Sequence, residues 1–385
     1  MLECQAPLFS LPQDIHYLNA AYMGPLAKST EQAGVEAVRL KSTPYTLTPA
    51  DFFSGTNMLR ERFGRLINAE SRRVALVPSV SYGVAIAGHN ITLARGQNVV
   101  IPAEEFPSNV HMWRDACAGV GADFRMVPRP TDVQRPAREW SARIMEAIDD
   151  QTAVVTLTLV HWTDGTPFDL AAIARRAREV GAYLILDGTQ SIGAVPFDFG
   201  IIQPDLLVCA SYKWLLGPYQ YGFAVLGDRL LEGRPFERTW IGREGSENFA
   251  GLVNYTDGYQ PGARRFDVGE NSNWVSVAML NESLRLIEGW GVERIAGYIE
   301  GLLVALRAEL EGVPGLHLPP RDDQAPHMLG IRLPDAARVP QVLEALAARK
   351  VYASQRGTSL RVSPHVYNST ANMHALATTL REVLG

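Results

Sequence analysis

Asp187 and Lys213 are the two residues of this chain whose types and positions best suit a chemical role. Asp187 ends the apolar run 182–186, and Lys213 follows the apolar run 206–210. Both runs are typical of buried strands, so a carboxylate and an amine would reach one edge of a sheet. Pyridoxal phosphate requires a carboxylate at its ring nitrogen and a lysine for its aldehyde. The pair therefore predicts a pyridoxal phosphate enzyme that acts on an amino acid.

Each residue alone also fits an ordinary structural role. Lys213 fits a surface lysine after an edge strand, and Asp187 fits a cap for the following segment. However, lysine is rarely buried unless it is paired or covalently bound. A carboxylate after three apolar residues loses its hydration and needs a hydrogen-bonding or cationic partner, such as a protonated ring nitrogen. The occurrence of both residues together favours the cofactor site.

A phosphate site is predicted at residues 79–81. Residues 74–77 are typical of a strand, and Ser79, Val80 and Ser81 lead from it into a helix. Free N–H groups and hydroxyls at a helix N-terminus bind phosphate. The alternative is that a serine only caps the helix. No glycine-rich dinucleotide fingerprint follows the first strand, which argues against a nicotinamide dehydrogenase.

The composition predicts a soluble, cytoplasmic protein that binds small molecules. Apolar residues make up 46% of the chain and charged residues 20%, and the formal net charge of -5 gives no reason to expect nucleic acid or a membrane as a partner. No apolar stretch reaches the roughly 18 residues that a membrane span needs. Cys4, Cys117 and Cys209 are far apart, which indicates neither a disulfide framework nor a metal site.

Short apolar runs alternate with amphipathic patterns along the first two thirds of the chain. This alternation predicts an α/β fold whose large domain holds a seven-stranded, mostly parallel sheet. The predicted strands are 74–77, 98–102, 124–127, 153–160, 183–187, 206–211 and 223–226. The predicted helices are 81–94, 109–118, 138–148 and 169–180.

The pattern changes after about residue 240, and the C-terminal quarter predicts a smaller α+β domain. The predicted elements are long helices within 275–310, strands 327–333, 351–355 and 359–363, and helices 340–349 and 371–384. We predict that residues 18–245 form the large cofactor-binding domain. Residues 1–17 together with 246–385 would form the small domain.

Six segments, in order along nearly the whole chain, carry a resemblance to a known family. They are His16-Tyr17-Leu18-Asn19-Ala20-Ala21, Glu105-Phe106-Pro107-Ser108-Asn109, Leu186-Asp187-Gly188-Thr189-Gln190, Ser211-Tyr212-Lys213, Arg265-Phe266-Asp267-Val268-Gly269 and 360–368. In these segments the chain resembles a class V aminotransferase of the fold type I pyridoxal phosphate enzymes. That superfamily includes cysteine desulfurases, kynureninases and isopenicillin N epimerase-like proteins.

The resemblance implies a role for each matching cofactor residue. Lys213 would form the Schiff base with the cofactor and shuttle the Cα proton, while Asp187 would hold the ring nitrogen. Gln190 would approach the phenolic oxygen of the ring, and Phe106 would stack on the ring, although plain core packing is the alternative. His161 and Trp162 lie where the family brings a further side chain to the cofactor, although a lone histidine beside an apolar strand is more often structural.

Other positions are implied to bind the substrate or the phosphate. Arg361 matches the arginine that binds the substrate α-carboxylate through a planar fork, and an ordinary strand arginine is the alternative. Arg356 is a second candidate, and Asn19 lies in a matching segment that is implied to contact the substrate. Ser211 or Tyr212 would hydrogen-bond the phosphate.

The resemblance also implies a homodimer whose site lies at the subunit interface. The segment near Gly269 would reach the phosphate of the neighbouring subunit. Glu270 departs from the family pattern, because threonine is common there and a carboxylate would repel phosphate. Asn271 or Ser272 is the predicted substitute.

A second departure from the family pattern limits which reaction we predict for this chain. Desulfurases need a nucleophilic cysteine on a loop before the last strand pair, but no cysteine follows Cys209. We therefore predict an aminotransferase-like reaction on an amino acid and not desulfuration. A kynureninase-type lyase, an isopenicillin N epimerase-like reaction, and a protein that binds pyridoxal phosphate without turnover remain as alternatives.

Overall fold

The computed structural model describes residues 2–131, 133–333 and 335–385. It contains strands in three sheets, with helices between them. The strands are β1 (His16–Tyr17), β2 (Val74–Val77), β3 (Asn98–Pro102), β4 (Asp123–Val127), β5 (Thr152–Thr158), β6 (Tyr183–Asp187), β7 (Leu206–Ala210), β8 (Gly222–Leu226), β9 (Leu329–Arg332), β10 (Val351–Tyr352), β11 (Ser354–Arg356) and β12 (Ser359–Val362).

Twelve α-helices are described in the same ranges of the chain. They are α1 (Lys28–Leu40), α2 (Asp51–Leu66), α3 (Val80–Asn90), α4 (Pro107–Val120), α5 (Pro136–Ala147), α6 (Leu170–Glu179), α7 (Phe199–Ile202), α8 (Asp228–Leu231), α9 (Trp274–Trp290), α10 (Val292–Leu310), α11 (Val339–Ala348) and α12 (Thr370–Leu384). No helix in the described part of the chain is long and apolar enough to cross a membrane.

The large sheet has seven strands in the order β2-β8-β7-β6-β5-β3-β4. Only β8 runs antiparallel to its neighbours, so the sheet is mostly parallel, as predicted. All seven predicted strands are present, within two residues of the predicted bounds. Apolar clusters cover both faces of this sheet, which explains why its strands are apolar throughout. The carboxyl ends of the parallel strands share one edge.

Two smaller sheets complete the fold, and one of them corrects the predicted strand 351–355. The chain breaks at Ala353: β10 pairs in parallel with β1, whereas β11 pairs with β12 in the three-stranded sheet β11-β12-β9. Other predicted bounds also shift. The helix predicted for 81–94 ends at Asn90, and the 275–310 pattern divides at Gly291, whose φ of 79° ends α9.

A buried ion pair fixes the segment before α9 to the edge of the large sheet. Arg60 on α2 and Asp267 are each 4% exposed and are hydrogen-bonded to each other. Asp267 also accepts from the backbone N–H of Leu76 over 2.8 Å and from Asn271 Nδ2 over 2.9 Å. Arg60 Nε donates to the carbonyl of Val74 over 3.2 Å. Both charged side chains are therefore hydrogen-bonded to the backbone of the same strand, β2.

We predict that Asp267→Ala destabilises the protein by about 3–5 kcal/mol, because it leaves the buried Arg60 guanidinium without its counter-charge. Urea unfolding monitored by circular dichroism measures this change. The matched control is Asp228→Ala, which breaks the Arg73–Asp228 pair at 2.7 Å, where Asp228 is 83% exposed. The control substitution should lower the free energy of unfolding by less than about 1 kcal/mol. Equal losses in the two variants would contradict the prediction.

Candidate active site

A cavity of about 410 Å³ opens at the carboxyl edge of the large sheet. Its walls come mainly from the segments that follow β2, β3, β5, β6 and β7, where ligands bind in open parallel sheets. Eight predicted site residues line it: Ser79, Val80, Ser81, Phe106, Asp187, Gln190, Tyr212 and Lys213. The fold thus brings most of the predicted cofactor residues together.

Lys213 lies on a tight, buried turn after β7. Trp214, Leu215 and Leu216 follow it and are at most 1% exposed. Leu216 has a φ of 52°, a left-handed conformation that leucine rarely adopts. Gly24 closes over the same turn: its N–H donates to the Tyr212 carbonyl over 2.8 Å, and a Cβ at this position would overlap the Lys213 carbonyl oxygen. The lysine backbone is therefore held from both sides.

The Lys213 amine is desolvated. Burial lowers the pKa of Lys213 to about 8; Asp187 opposes this shift, while Arg361 and Arg356 add to it. Its Nζ lies 5.6 Å from the ring centroid of Phe106 and 5.4 Å from that of Tyr212. A substantial fraction of the amine is therefore neutral, and hence nucleophilic, near pH 7.5.

Asp187 is a buried carboxylate at the end of β6, with 4% exposure. One oxygen accepts from the Thr189 N–H over 2.9 Å. Burial raises the pKa of Asp187, while hydrogen bonds from Thr189 and the charge of Lys213 oppose the shift. The described residues give Asp187 no ion pair at contact distance, so it is suited to a cationic ligand group.

Gln190 is held in one orientation by a buried network below the cavity. Its Nε2 donates to the Ala21 carbonyl and its Oε1 accepts from Trp214 Nε1, both over 3.1 Å. His327 donates to the Gln190 carbonyl over 2.5 Å, and His365 lies 3.3 Å from the Trp214 carbonyl. Burial lowers the pKa of each histidine to about 4, so both are neutral. One amide hydrogen of Gln190 remains available to a ligand.

The predicted phosphate turn lies at the start of α3. Ser79 caps this helix, since its Oγ accepts from the Tyr82 N–H over 3.2 Å, and it lies 2.9 Å from Ser81 Oγ. The first N–H groups of a helix have no intrahelical acceptor. The amides of Val80 and Ser81 are therefore available for an anion, so the capping role and the anion-binding role coexist.

Glu105 is a buried carboxylate that the sequence reasoning missed. Its two oxygens accept from the N–H groups of Phe106, over 2.6 Å, and Thr158, over 2.8 Å. Thr158 is in register with Asp187. Burial raises the pKa of Glu105 to about 7. The sequence signal for Glu105 is its place in the matching segment directly before Phe106. Its hydrogen bonds fix the backbone of Phe106 relative to Thr158, which is in register with Asp187.

A second cavity of about 330 Å³ adjoins the first and shares Phe106, Trp162 and Lys213 with it. Arg361 is fully buried here; its Nη1 donates to the Trp162 carbonyl over 2.6 Å. Its Nε and Nη2 find no acceptor among the described residues. Burial lowers the pKa of Arg361 to about 9, and Arg356 contributes to the shift. Arg356 lines the same cavity, with its guanidinium carbon 5.5 Å from the Trp162 ring centroid.

Two predicted cofactor residues point elsewhere. His161 is buried outside both cavities, with Nδ1 2.8 Å from Arg129 Nη2 and 2.7 Å from Thr163 Oγ1. Its neighbour Trp162 lines the cavities instead. Ser211 Oγ lies 2.7 Å from the carbonyls of Pro218 and Tyr221, so it holds the turn after β7 closed. The geometry supports no contact of His161 or Ser211 with a ligand.

Asn19 and Asn271 also lie outside the two cavities. Asn19 accepts from Ser354 Oγ over 2.6 Å and so ties the N-terminal segment to β11. Asn271 donates to Asp267 and lines a separate, small cavity with Arg60. A contact of Asn271 with the phosphate of a neighbouring subunit stays a prediction.

A larger cavity of about 500 Å³ lies at the opposite edge of the large sheet. Its main charges are already paired: Arg73 with Asp228 over 2.7 Å, and Arg229 with Asp205 over 2.5 Å. It also lacks a lysine among its described lining residues. The smaller cavity at the carboxyl edge therefore has the stronger case as the active site.

Comparisons with known sequences identify the family of this chain. The family model described as "Aminotransferase class-V" matches residues 46–381. An uncharacterized aminotransferase, YcbU, of Bacillus subtilis (strain 168) is 28% identical over 325 residues, which cover 83% of this chain and 82% of that protein. A cysteine desulfurase of Escherichia coli (strain K12 / DH10B) is 27% identical over 266 residues, which cover 68% of this chain and 63% of that enzyme.

Solved structures share the fold at low sequence identity. A C-DES variant with glycine covalently linked to its pyridoxal phosphate cofactor superposes with a TM-score of 0.87 and 18% identity, over 99% of this chain and 100% of that chain. The cysteine desulfurase CsdA from Escherichia coli gives a TM-score of 0.80 and 17% identity, over 98% and 97%. These likenesses show the fold type I architecture. By the match of its family model, the chain belongs to the class-V aminotransferase family of pyridoxal phosphate enzymes.

Proposed function

We propose that this enzyme acts at the Cα of an amino acid, with Lys213 as the covalent ligand of pyridoxal phosphate, and that it catalyses transamination. The observation that carries the proposal is the buried pair of Asp187 and Lys213 in one cavity. The amine has a pKa lowered to about 8, and the carboxylate makes no salt bridge at contact distance among the described side chains. Both features suit this cofactor.

The other cavity residues fit the remaining parts of pyridoxal phosphate. The carboxylate of Asp187 would hold the protonated ring nitrogen, and the free amide hydrogen of Gln190 would donate to the phenolic oxygen. The amides of Val80 and Ser81, with the Ser79 hydroxyl, would hold the phosphate. When it is bound, the cofactor withdraws electrons from the Cα of the attached amino acid.

Lys213 Nζ would then move the proton at the substrate Cα. An amine with a pKa near 8 suits this task, because its neutral form accepts the proton and its conjugate acid can return it near neutral pH. Arg361 would hold the α-carboxylate through its free Nε and Nη2, which fixes the Cα relative to Lys213. The aromatic wall of Phe106 and Trp162 would limit access of water from that side.

Cysteine desulfuration needs a thiol nucleophile, and no cysteine lines either cavity among the described residues. The sequence has no cysteine after Cys209. Cys209 is 2% exposed within β7, and burial raises its pKa well above the ordinary value. Cys117 is also buried. A lyase or epimerase-like reaction would use the same lysine and remains the alternative, and the homodimer and the two-domain division remain predictions.

We expect Lys213→Ala to abolish covalent attachment of the cofactor, because no other amine lines the cavity among the described residues. Reduction of the wild-type holoenzyme with borohydride, followed by peptide mass spectrometry, should find the cofactor on Lys213. In a separate experiment, exposure of the unreduced wild-type holoenzyme to a panel of amino acids should release pyridoxamine phosphate, detected by mass. Alanine or ammonia with unchanged cofactor would indicate a lyase, and a wild-type protein that binds no cofactor would contradict the proposal.

Labelling of the cofactor-free protein should report the lowered pKa of Lys213. The chain has only four lysines, Lys28, Lys41, Lys213 and Lys350, so each labelled peptide identifies its site. Only the neutral amine reacts, so the initial rate of labelling by pyridoxal phosphate and borohydride at Lys213 should rise with pH and reach half its maximum near 8. Lys350, whose pKa is raised by its pairing with Asp14, serves as the internal control, and its labelling rate should rise only at higher pH. Superimposable profiles would contradict the prediction.

Arg361→Ala should weaken amino-acid binding by about 2–3 kcal/mol, or roughly 30- to 150-fold, because a buried, charge-assisted pair is lost. Cofactor binding should change little, because Arg361 lines the second cavity and not the first. Spectral titration of the holoenzyme gives the amino-acid dissociation constant. Arg321→Ala, at a side chain that is 67% exposed, is the control. Unchanged amino-acid affinity in Arg361→Ala would remove Arg361 from the site.

A further inference from the structure

The second cavity contains more positive charge than one α-carboxylate can balance. Arg356, Arg361 and Lys213 line it, together with aromatic and other uncharged side chains. Among the described residues no aspartate or glutamate lines this cavity. Asp187, whose charge raises the pKa of Lys213, lines the cofactor cavity, where the proposed function assigns it to the ring nitrogen. Two guanidinium groups therefore face the substrate space without a protein counter-charge.

Neither guanidinium is satisfied by the protein. Arg361 uses Nη1 on the Trp162 carbonyl, and its Nε and Nη2 are buried without an acceptor in the described chain. Arg356 uses Nη1 on the carbonyl of Gln355 over 2.6 Å, and its Nε is likewise buried without a described acceptor. Burial lowers the pKa of each arginine, and Arg356 lowers that of Arg361 further. An unpaired buried charge is costly. The fully buried Arg361 and the half-buried Arg356 are therefore each suited to an anion.

The hairpin of β11 and β12 sets the spacing of the two arginines. Ser354 is directly opposite Arg361, and Arg356 is opposite Ser359. Arg356 is two residues from Ser354, so Arg356 and Arg361 lie on the same face of the hairpin as diagonal neighbours, about 7–8 Å apart in their backbones. The two-residue turn at Gly357, with a φ of 56°, fixes this register.

The two guanidinium groups also contact different parts of Trp162. Arg361 holds its backbone carbonyl, whereas Arg356 lies 5.5 Å over its indole ring. The two cationic heads therefore have different anchors on Trp162. Arg361 alone has two free donors for one carboxylate, so a second anionic group is left for Arg356. The guanidinium is planar by its own delocalisation, and its contact with the indole face restricts its orientation.

We propose that the substrate is an α-amino acid with an anionic side chain, and that Arg356 recognises the side-chain anion while Arg361 holds the α-carboxylate. A side-chain carboxylate one or two methylene groups from Cα is the class that this spacing favours. A sulfinate on a side chain of similar length presents the same anionic oxygens. The inference rests on the proposed function, because it assumes that the second cavity receives the amino acid.

Pairs of acids and their isosteric amides test this inference. L-glutamate with L-glutamine, L-aspartate with L-asparagine, and L-cysteine sulfinate as a further acid should be titrated into the holoenzyme, with dissociation constants taken from the cofactor spectrum. We expect the wild type to bind the preferred acid at least about tenfold more tightly than its amide, as for a charge-assisted pair. The sulfinate and carboxylate arms identify which anion fits.

Arg356→Gln should reduce the ratio of acid affinity to amide affinity to about one, mainly by weakening the binding of the acid. Arg356→Lys keeps the charge and should retain part of the ratio. Arg321→Gln, the exposed control, should keep the wild-type ratio, and thermal unfolding checks that each variant is folded. The ratio is the decisive reading, because a purely structural defect would weaken acid and amide alike.

Three outcomes would overturn the inference and leave the proposed function standing: amides binding as well as acids, a ratio unchanged in Arg356→Gln, or equal weakening of acids and amides, which would mean that both arginines share the α-carboxylate. If no amino acid changes the cofactor spectrum of the wild type and no product forms, the proposed function fails as well. The two failures are therefore distinguishable.

Discussion

The desolvation of Lys213 is the constraint on which the site depends. An amine at the end of a buried strand is kept accessible to a ligand only if the chain around it is fixed. The turn at Leu216 and the close approach of Gly24 provide that restraint. Burial then lowers the pKa of the amine to about 8, which gives an ordinary lysine the reactivity that covalent cofactor binding requires.

The charges around this lysine are divided between two adjoining cavities. The carboxylate of Asp187 lies in the first cavity, with the helix N-terminus at Ser79 as a site for an anion. The arginines lie in the second cavity, where the described side chains include no acid. Under the proposed function each cavity suits one ligand: the first suits a cationic ring with a phosphate, and the second suits an anionic amino acid. Coulomb interactions are strong in such buried spaces, so this division favours one orientation of the bound molecules.

Residues without a direct contact to the cavities hold this arrangement in place. Glu105 joins the backbone of Phe106 to that of Thr158. Trp214 donates to the side-chain amide oxygen of Gln190, and His327 donates to its backbone carbonyl. These buried polar groups are expensive unless all of their hydrogen bonds are made, and here most of them are. The shared fold with C-DES and CsdA at under 20% identity fits this division of labour, because architecture is common to the neighbours while the reaction depends on a few side chains.

The sequence by itself determined which segments form the strands of the large sheet, the position of Asp187 and Lys213 after two of them, and the helix start at Ser79, because these features follow from local periodicity and capping. Only the tertiary structure decided which neighbouring side chain reaches the cavity. It placed Trp162 in the cavity and His161 outside it. It bonded Ser211 to the carbonyls of its own turn, and it left donors of Arg361 and Arg356 without an acceptor among the described residues. Such outcomes depend on contacts between residues far apart in the chain, in which each polar group takes the nearest partner that packing allows, and no local pattern encodes that choice.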